Sequence, residues 1–240
     1  MGASNVAAKE KAFTTSLACS DACALLTLFL QYPTIELAEG LNGGSVQADV
    51  FSIGLELGCD AKVMRETASS FADHSHANPG ALKNELRREH TRLFDHPVLP
   101  QVPYYEELFL FSCDHPGVPA KEGPLRFVNK AAVSAEAAYR EGGFGVVREN
   151  SVPADCITLE LAFLGKMYTC ASECMQSGDC KRLAEVQAII REFEQGHVER
   201  WIPEFFWRLG NESKGFYGYV GRVGVLYMER ILALYPILSI

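Results

Sequence analysis

Eight cysteines, six histidines and several neighbouring carboxylates are the side chains in this 240-residue sequence whose types could do chemistry. Cys19 and Cys23 are spaced i, i+4, as are Cys170 and Cys174, with Cys180 close behind. On a helix such a pair shares one face, where two thiolates could hold zinc or exchange electrons. Zinc knuckles usually use tighter C-x-x-C turns, and these cysteines sit in apolar runs. They read first as core filling, with a metal or redox role for Cys170, Cys174 and Cys180 as the alternative. His74 and His76 form H-x-H in a polar stretch and read as solvated surface, with adventitious metal binding next. Glu106 and Glu107 are adjacent in sequence rather than facing each other and read as an acidic rim, with a binding role for one of them as the alternative. Gly142, Gly143 and Gly145 do not make G-x-G-x-x-G, and no P-loop, G-x-S-x-G or H-E-x-x-H occurs. The sequence therefore predicts no catalytic residues, no metal ligands and no cofactor. Gly218, Gly221 and Gly224 recur every three residues and predict a close helix-packing seam rather than a phosphate loop.

Two segments carry more. In the first, Leu93-Phe94 is followed by Pro97, Pro100 and Pro103, then Tyr104, Tyr105, Glu106 and Glu107. Aromatics beside carboxylates on a Pro-rich loop suit a binding surface, unless they seal the loop onto the core. In the second, Tyr139, Gly142-Gly143 and Phe144 precede Pro153-Ala154-Asp155-Cys156-Ile157 and an apolar run to Leu164. Asp155 is expected in the first turn of a helix, either complementing the helix N-terminus or facing a cationic ligand.

The elements that must position these residues are helices. Hydrophobic residues are 48% of the chain, enough for a core and against disorder. Lys and Arg number 22 against 30 Asp and Glu, a net charge of -8, which argues against a nucleic-acid partner. No secretory start and no run of 18 apolar residues is read. The best membrane candidate is the tail from Phe216, interrupted by Arg222, Glu229 and Arg230, so a cytoplasmic chain with reduced thiols and no membrane insertion is expected. Helices are predicted over about 9–31, 45–57 (Ser45 as N-cap), 60–72, from Asn78-Pro79 through Leu93, over 104–111, 128–140, 153–175 (Ser151 as cap), 179–199, 201–209 and 216–238. This is an all-α chain of about ten helices, with an N-terminal subdomain 1–111, a Pro-rich hinge loop 112–124 and a C-terminal subdomain 125–240.

The two segments resemble the TorD/DmsD family of redox-enzyme maturation chaperones, and more distantly the NarJ group. The resemblance runs from Glu89-x-x-x-Leu93-Phe94 through Pro103-Tyr104, Tyr139 with Gly142-Gly143, and Pro153-x-Asp155 to Leu164. It extends to Phe193-x-x-x-His197-x-x-x-Trp201-x-Pro203-x-Phe205. Cys156 stands where the family has His after the Asp, and Tyr104 where Trp is common. The resemblance implies two helical subdomains joined by a hinge, as a monomer or a domain-swapped dimer. It also implies binding of the twin-arginine leader and the apo-form of a molybdopterin oxidoreductase. The implied peptide site is Leu93, Phe94, Pro103 and Tyr104 for the apolar part, Asp155 and Glu107 for the guanidinium groups, and Cys156 beside them. An assembly factor of the NarJ type for a cytoplasmic enzyme, and a thiol- or metal-dependent enzyme, remain as alternatives.

Overall fold

The long first helix sets the frame. In the computed structural model, which describes residues 2–74, 78–96, 100–125, 128–145 and 152–234, α1 (Gly2–Leu30) lies along α8 (Ile157–Ser177). Ala12, Ala18, Cys19, Ala22, Cys23, Leu26, Phe29 and Leu30 follow helical spacing and are all buried. Gly165 lets the two helices approach, since a Cβ there would meet Cys23 Cβ at 3.1 Å. Ser16 Oγ donates to the Tyr168 carbonyl at 2.8 Å across the seam.

The remaining helices are α2 (Ile35–Gly43), α3 (Ser45–Glu56), α4 (Ala61–Ser70), α5 (Pro79–Phe94), α6 (Glu106–Asp114), α7 (Lys130–Glu141), α9 (Cys180–Phe193), α10 (Glu199–Glu212) and α11 (Phe216–Ala233). The described residues hold no β-strand, and the all-α expectation of about ten helices holds. Sequence signals placed several ends well. Asn78 caps α5 by accepting from the Gly80 and Ala81 amides, and Asp179 caps α9 through the Arg182 amide. Helix α2 is not among the predicted helices, and Gly40 and Gly43 fall within it. Gly44 sits at φ 82°, where it ends α2 and also caps α3, so Ser45 is the first helical residue rather than the cap. Helix α8 starts at Ile157, not Pro153, and Ser151 lies outside the described residues. The expected short helix 201–209 is the middle of α10, which runs through Pro203 and follows α9 by a π-helical segment, Glu194–Val198.

The membrane candidate also moves. Among the described residues the helix long and apolar enough to cross a membrane is Ala8–Leu30 of α1, not the tail. Just over half of its most apolar window is buried inside the protein, as expected of a core helix. Helix contacts run across residues 112–124: α1 packs on α8, and α11 packs on α1, α3, α4 and α5.

The glycine seam is a packing device. A Cβ on Gly221 would fall 2.6 Å from Gly210 Cα and 2.7 Å from the Phe206 carbonyl, so α10 and α11 touch backbone to backbone. At the other end of this layer, Glu194 is buried and accepts from Tyr168 Oη at 2.6 Å. Burial raises its carboxyl to a pKa of about 7.

Two outcomes follow from these contacts. Gly221→Ala separates α10 from α11 and lowers stability by at least about 2 kcal/mol, measured as a drop in the urea midpoint. For Glu194, the folded pKa exceeds the unfolded value, so the folded state binds more protons between pH 4.5 and about 7 and loses stability across that window as pH rises. Glu194→Gln removes the slope. Its stability from urea unfolding matches the parent near pH 4.5 and exceeds it above pH 7, by about 3 kcal/mol.

Candidate functional site

The two informative segments meet. Tyr105 and Cys156 pair as an isolated antiparallel bridge. The Ile157 amide donates to the Tyr104 carbonyl at 3.1 Å and the Glu106 amide to the Asp155 carbonyl at 2.9 Å. Helices α6 and α8 therefore begin side by side. The first Pro-rich loop is closed by the Val102 amide donating to the Leu93 carbonyl at 2.9 Å.

Asp155 lies at this junction and is fully buried. It is two residues ahead of α8, not in its first turn. Its Oδ2 accepts from Asn129 Nδ2 at 3.1 Å and from the Glu107 amide at 3.4 Å. Asn129 is itself the N-cap of α7, accepting from the Ala132 amide at 2.7 Å. One carboxylate thus ties together the starts of α6, α7 and α8. Burial raises its pKa, and the Glu107 amide and Asn129 oppose that rise. Its Oδ1 is buried without a hydrogen-bond donor among the described residues.

The other predicted residues separate into two groups. Leu93, Phe94 and Cys156 face inward: Leu93 is fully buried, Phe94 stacks on Tyr104 at 5.6 Å and Phe205 at 6.2 Å, and Cys156 caps α8 with its thiol 3.2 Å from Thr158 Oγ1. Burial pushes the Cys156 thiol up to about 11, so it stays protonated at neutral pH. Tyr104 and Glu107 are half-buried at the surface. Pro103 lines a groove of about 370 Å³ between the two Pro-rich loops, with Pro100, Leu108, Phe111, Val118 and Glu212 among its other walls. In that groove Arg208 is held by Ser112 Oγ at 3.0 Å and by the Phe109 ring.

A polar cluster beneath α6 was missed by the sequence reading. Glu106 and Glu107 are not one rim: Glu107 faces out, and Glu106 is fully buried. Glu106 Oε2 lies 2.7 Å from His197 Nδ1, and Arg200 Nη1 pairs with its Oε1 at 2.8 Å without hydrogen-bond alignment. Glu160, also fully buried, accepts from Trp201 Nε1 at 2.9 Å. Burial, then the Glu106 charge, holds the Glu160 carboxyl well above the usual carboxylate range. The signal for this cluster was the His197/Trp201 spacing, which aligns two polar side chains on one helical face. Its carboxylate partners come from distant chain and could not be paired by spacing.

Glu106, Glu160 and His197 could together hold a metal ion. The cysteines make no such group among the described residues: all eight are free, Cys19, Cys23 and Cys174 are buried, and Cys180 is exposed. His76 and the His74 side chain lie outside the described residues.

Residues 58–207 match the family described as nitrate reductase delta subunit. That span is more than half of the chain and contains every residue of the junction and the cluster. The chain belongs to this family. The nitrate reductase delta family holds the NarJ- and TorD-like chaperones of redox-enzyme maturation, and such proteins are normally not enzymes. No curated protein matches the chain significantly. A solved structure from Archaeoglobus fulgidus, described as a candidate redox enzyme maturation protein, is similar at 19% identity over 88% of this chain and 93% of that chain, with a TM-score of 0.48.

Asp155→Ala removes the side-chain acceptor of the Glu107 amide and one of the two acceptors of Asn129 Nδ2, whose other is the Leu125 carbonyl at 3.1 Å, and lowers stability by about 1–3 kcal/mol. Amide exchange then speeds up first at the start of α6, while Asp155→Asn recovers part of the loss.

Proposed function

We propose that this maturation chaperone acts in the cytoplasm without catalysis, binding the twin-arginine leader and the apo-form of a molybdenum-containing oxidoreductase until the cofactor is inserted and the enzyme is exported. The observation that carries this reading is the groove between the Pro-rich loops, apolar along Pro103, Leu108 and Phe111 and lined also by Glu212 and by Arg208, whose guanidinium is held by Ser112 and the Phe109 ring. A leader presents two arginines and an apolar stretch, and such a ligand needs an apolar trough with carboxylates beside it. Glu107 stands on the outer side of α6, and the net charge of -8 steers a basic peptide toward the chain.

In this reading Leu93, Phe94 and Cys156 shape the site from behind. Tyr104 presents its ring at the surface. Asp155 Oδ1 is the acceptor that becomes available to a guanidinium when α6 parts from residues 153–157. A hinge at 112–124 between the 1–111 and 125–240 halves serves that opening. Because α1 packs along α8, the moving part is α6 with its flanking loops rather than the whole first half. A domain-swapped dimer is the same opening closed by a second copy.

The family description favours a second reading, an assembly factor for a cytoplasmic redox enzyme with no exported leader. Titration with the leader of a co-expressed molybdoenzyme separates the two. The leader reading expects saturable binding that weakens about tenfold or more when both arginines become lysine, and that weakens similarly in Glu107→Lys. Equal affinity for the lysine peptide, together with capture of the mature-region apoenzyme alone, would establish the second reading instead.

A further inference from the structure

We propose that Glu106, Glu160 and His197 form a buried site for one divalent transition-metal ion. The three side chains come from three elements: the first residue of α6, the first turn of α8 and the π-helical segment between α9 and α10. Their ligand atoms lie within 4.8 Å of one another, and none of the three residues is more than 3% exposed.

The atoms of each group divide between contacts with the surrounding protein and the interior of the cluster. The outer atom of each is held by the protein: His197 Nε2 by Ser134 Oγ at 3.1 Å, Glu160 Oε2 by Trp201 Nε1 at 2.9 Å, and Glu106 Oε1 by Arg200 at 2.8 Å. The Ser134 and Trp201 bonds fix the His197 ring and the Glu160 carboxylate, as the partners behind metal ligands do, and Arg200 adds an ion pair to Glu106. The inner atoms face one another. His197 Nδ1 lies 2.7 Å from Glu106 Oε2 and 3.9 Å from Glu160 Oε1. Nδ1 carries at most one proton, and the short contact directs it to Glu106. Glu160 Oε1 is fully buried and turned toward the Glu106 carboxyl, with no donor from any other side chain or from the backbone among the described residues. It is the atom a cation would satisfy.

The distances suit an ion of that kind. Bonds of about 2.0–2.2 Å in a tetrahedral shell set neighbouring ligand atoms about 3.4 Å apart. The observed 2.7 and 3.9 Å bracket that separation, so small side-chain shifts complete the shell. One imidazole with two carboxylates selects zinc, iron(II) or manganese(II), whereas calcium and magnesium need more oxygens than the pocket offers. Arg200, half exposed over Glu106, marks the way in.

The test uses the full chain without a tag, stripped by chelator, equilibrated with Co²⁺ or Zn²⁺ and passed through gel filtration. Retention of about one ion per chain is expected, with an X-ray absorption spectrum showing imidazole and oxygen donors only. Glu160→Gln should retain the ion about tenfold or more weakly, and Cys174→Ser as well as the parent. No retained metal in the parent, sulfur in the first shell, or unchanged retention in Glu160→Gln would overturn the proposal. Should Glu160→Gln fail to fold, the parent's stoichiometry and spectrum decide alone. None of these readouts depends on a leader peptide, so they stand apart from the leader titration.

Discussion

Residues 104–106 and 155–157 exchange backbone hydrogen bonds between parts of the chain separated by the whole of α7 and its loops. That exchange fixes where α6 and α8 begin, and most of the site follows from it. Helix N-termini leave amides unsatisfied, and here the Asp155 carboxylate reaches the Glu107 amide of α6 directly and α7 through Asn129. The same register turns Glu106 and Glu160 inward from the first turns of their helices, where the helix dipole favours negative charge. Burying two carboxylates so close together is tolerable because His197, Arg200 and Trp201 converge on them.

The frame behind this junction is stiff by construction. Helices α1 and α8 interlock through Gly165 and the Ser16 bond, and α10 and α11 touch through Gly221 and Gly210. Phe205 of α10 stacks on Phe94 and lies tilted against Phe109, and so connects that layer to the inner sides of α5 and α6. Phe94 and Leu93 therefore read as mortar between frame and loop, which is the alternative their sequence context had already offered.

The fold was legible because its signals are local. Asn78 before Pro79, Asp179 before an apolar periodic run, and three-residue glycine spacing each act within one turn of helix. Helix α2 escaped because the glycines inside it weaken its helix propensity, and packing overrides propensity. The α8 start was displaced because the Ala154 carbonyl accepts from Tyr139 Oη, the Asp155 carbonyl from the Glu106 amide, and the Ile157 amide donates to the Tyr104 carbonyl, partners no window around Pro153 contains. The site was half legible for the same reason. Composition and motif located both segments, but whether Glu106 faces water or His197 depends on a contact across 91 residues of chain.

Helix α6 joins the groove to the cluster. It has nine residues, too few to persist alone in water. Its existence rests on the Tyr105–Cys156 pairing at its start, on Glu106 beneath it and on Leu108 and Phe109 behind it. Its outer side carries Glu107, and Leu108 and Phe111 form part of the groove wall. Any ligand that grips this wall must either stabilise α6 as it stands or draw it away from Asp155 and His197. In the first case binding strengthens whatever occupies the polar cluster, and in the second it weakens it. The linkage is reciprocal by thermodynamic necessity, so under the two proposals an occupant of the cluster and a ligand of the groove are coupled through α6.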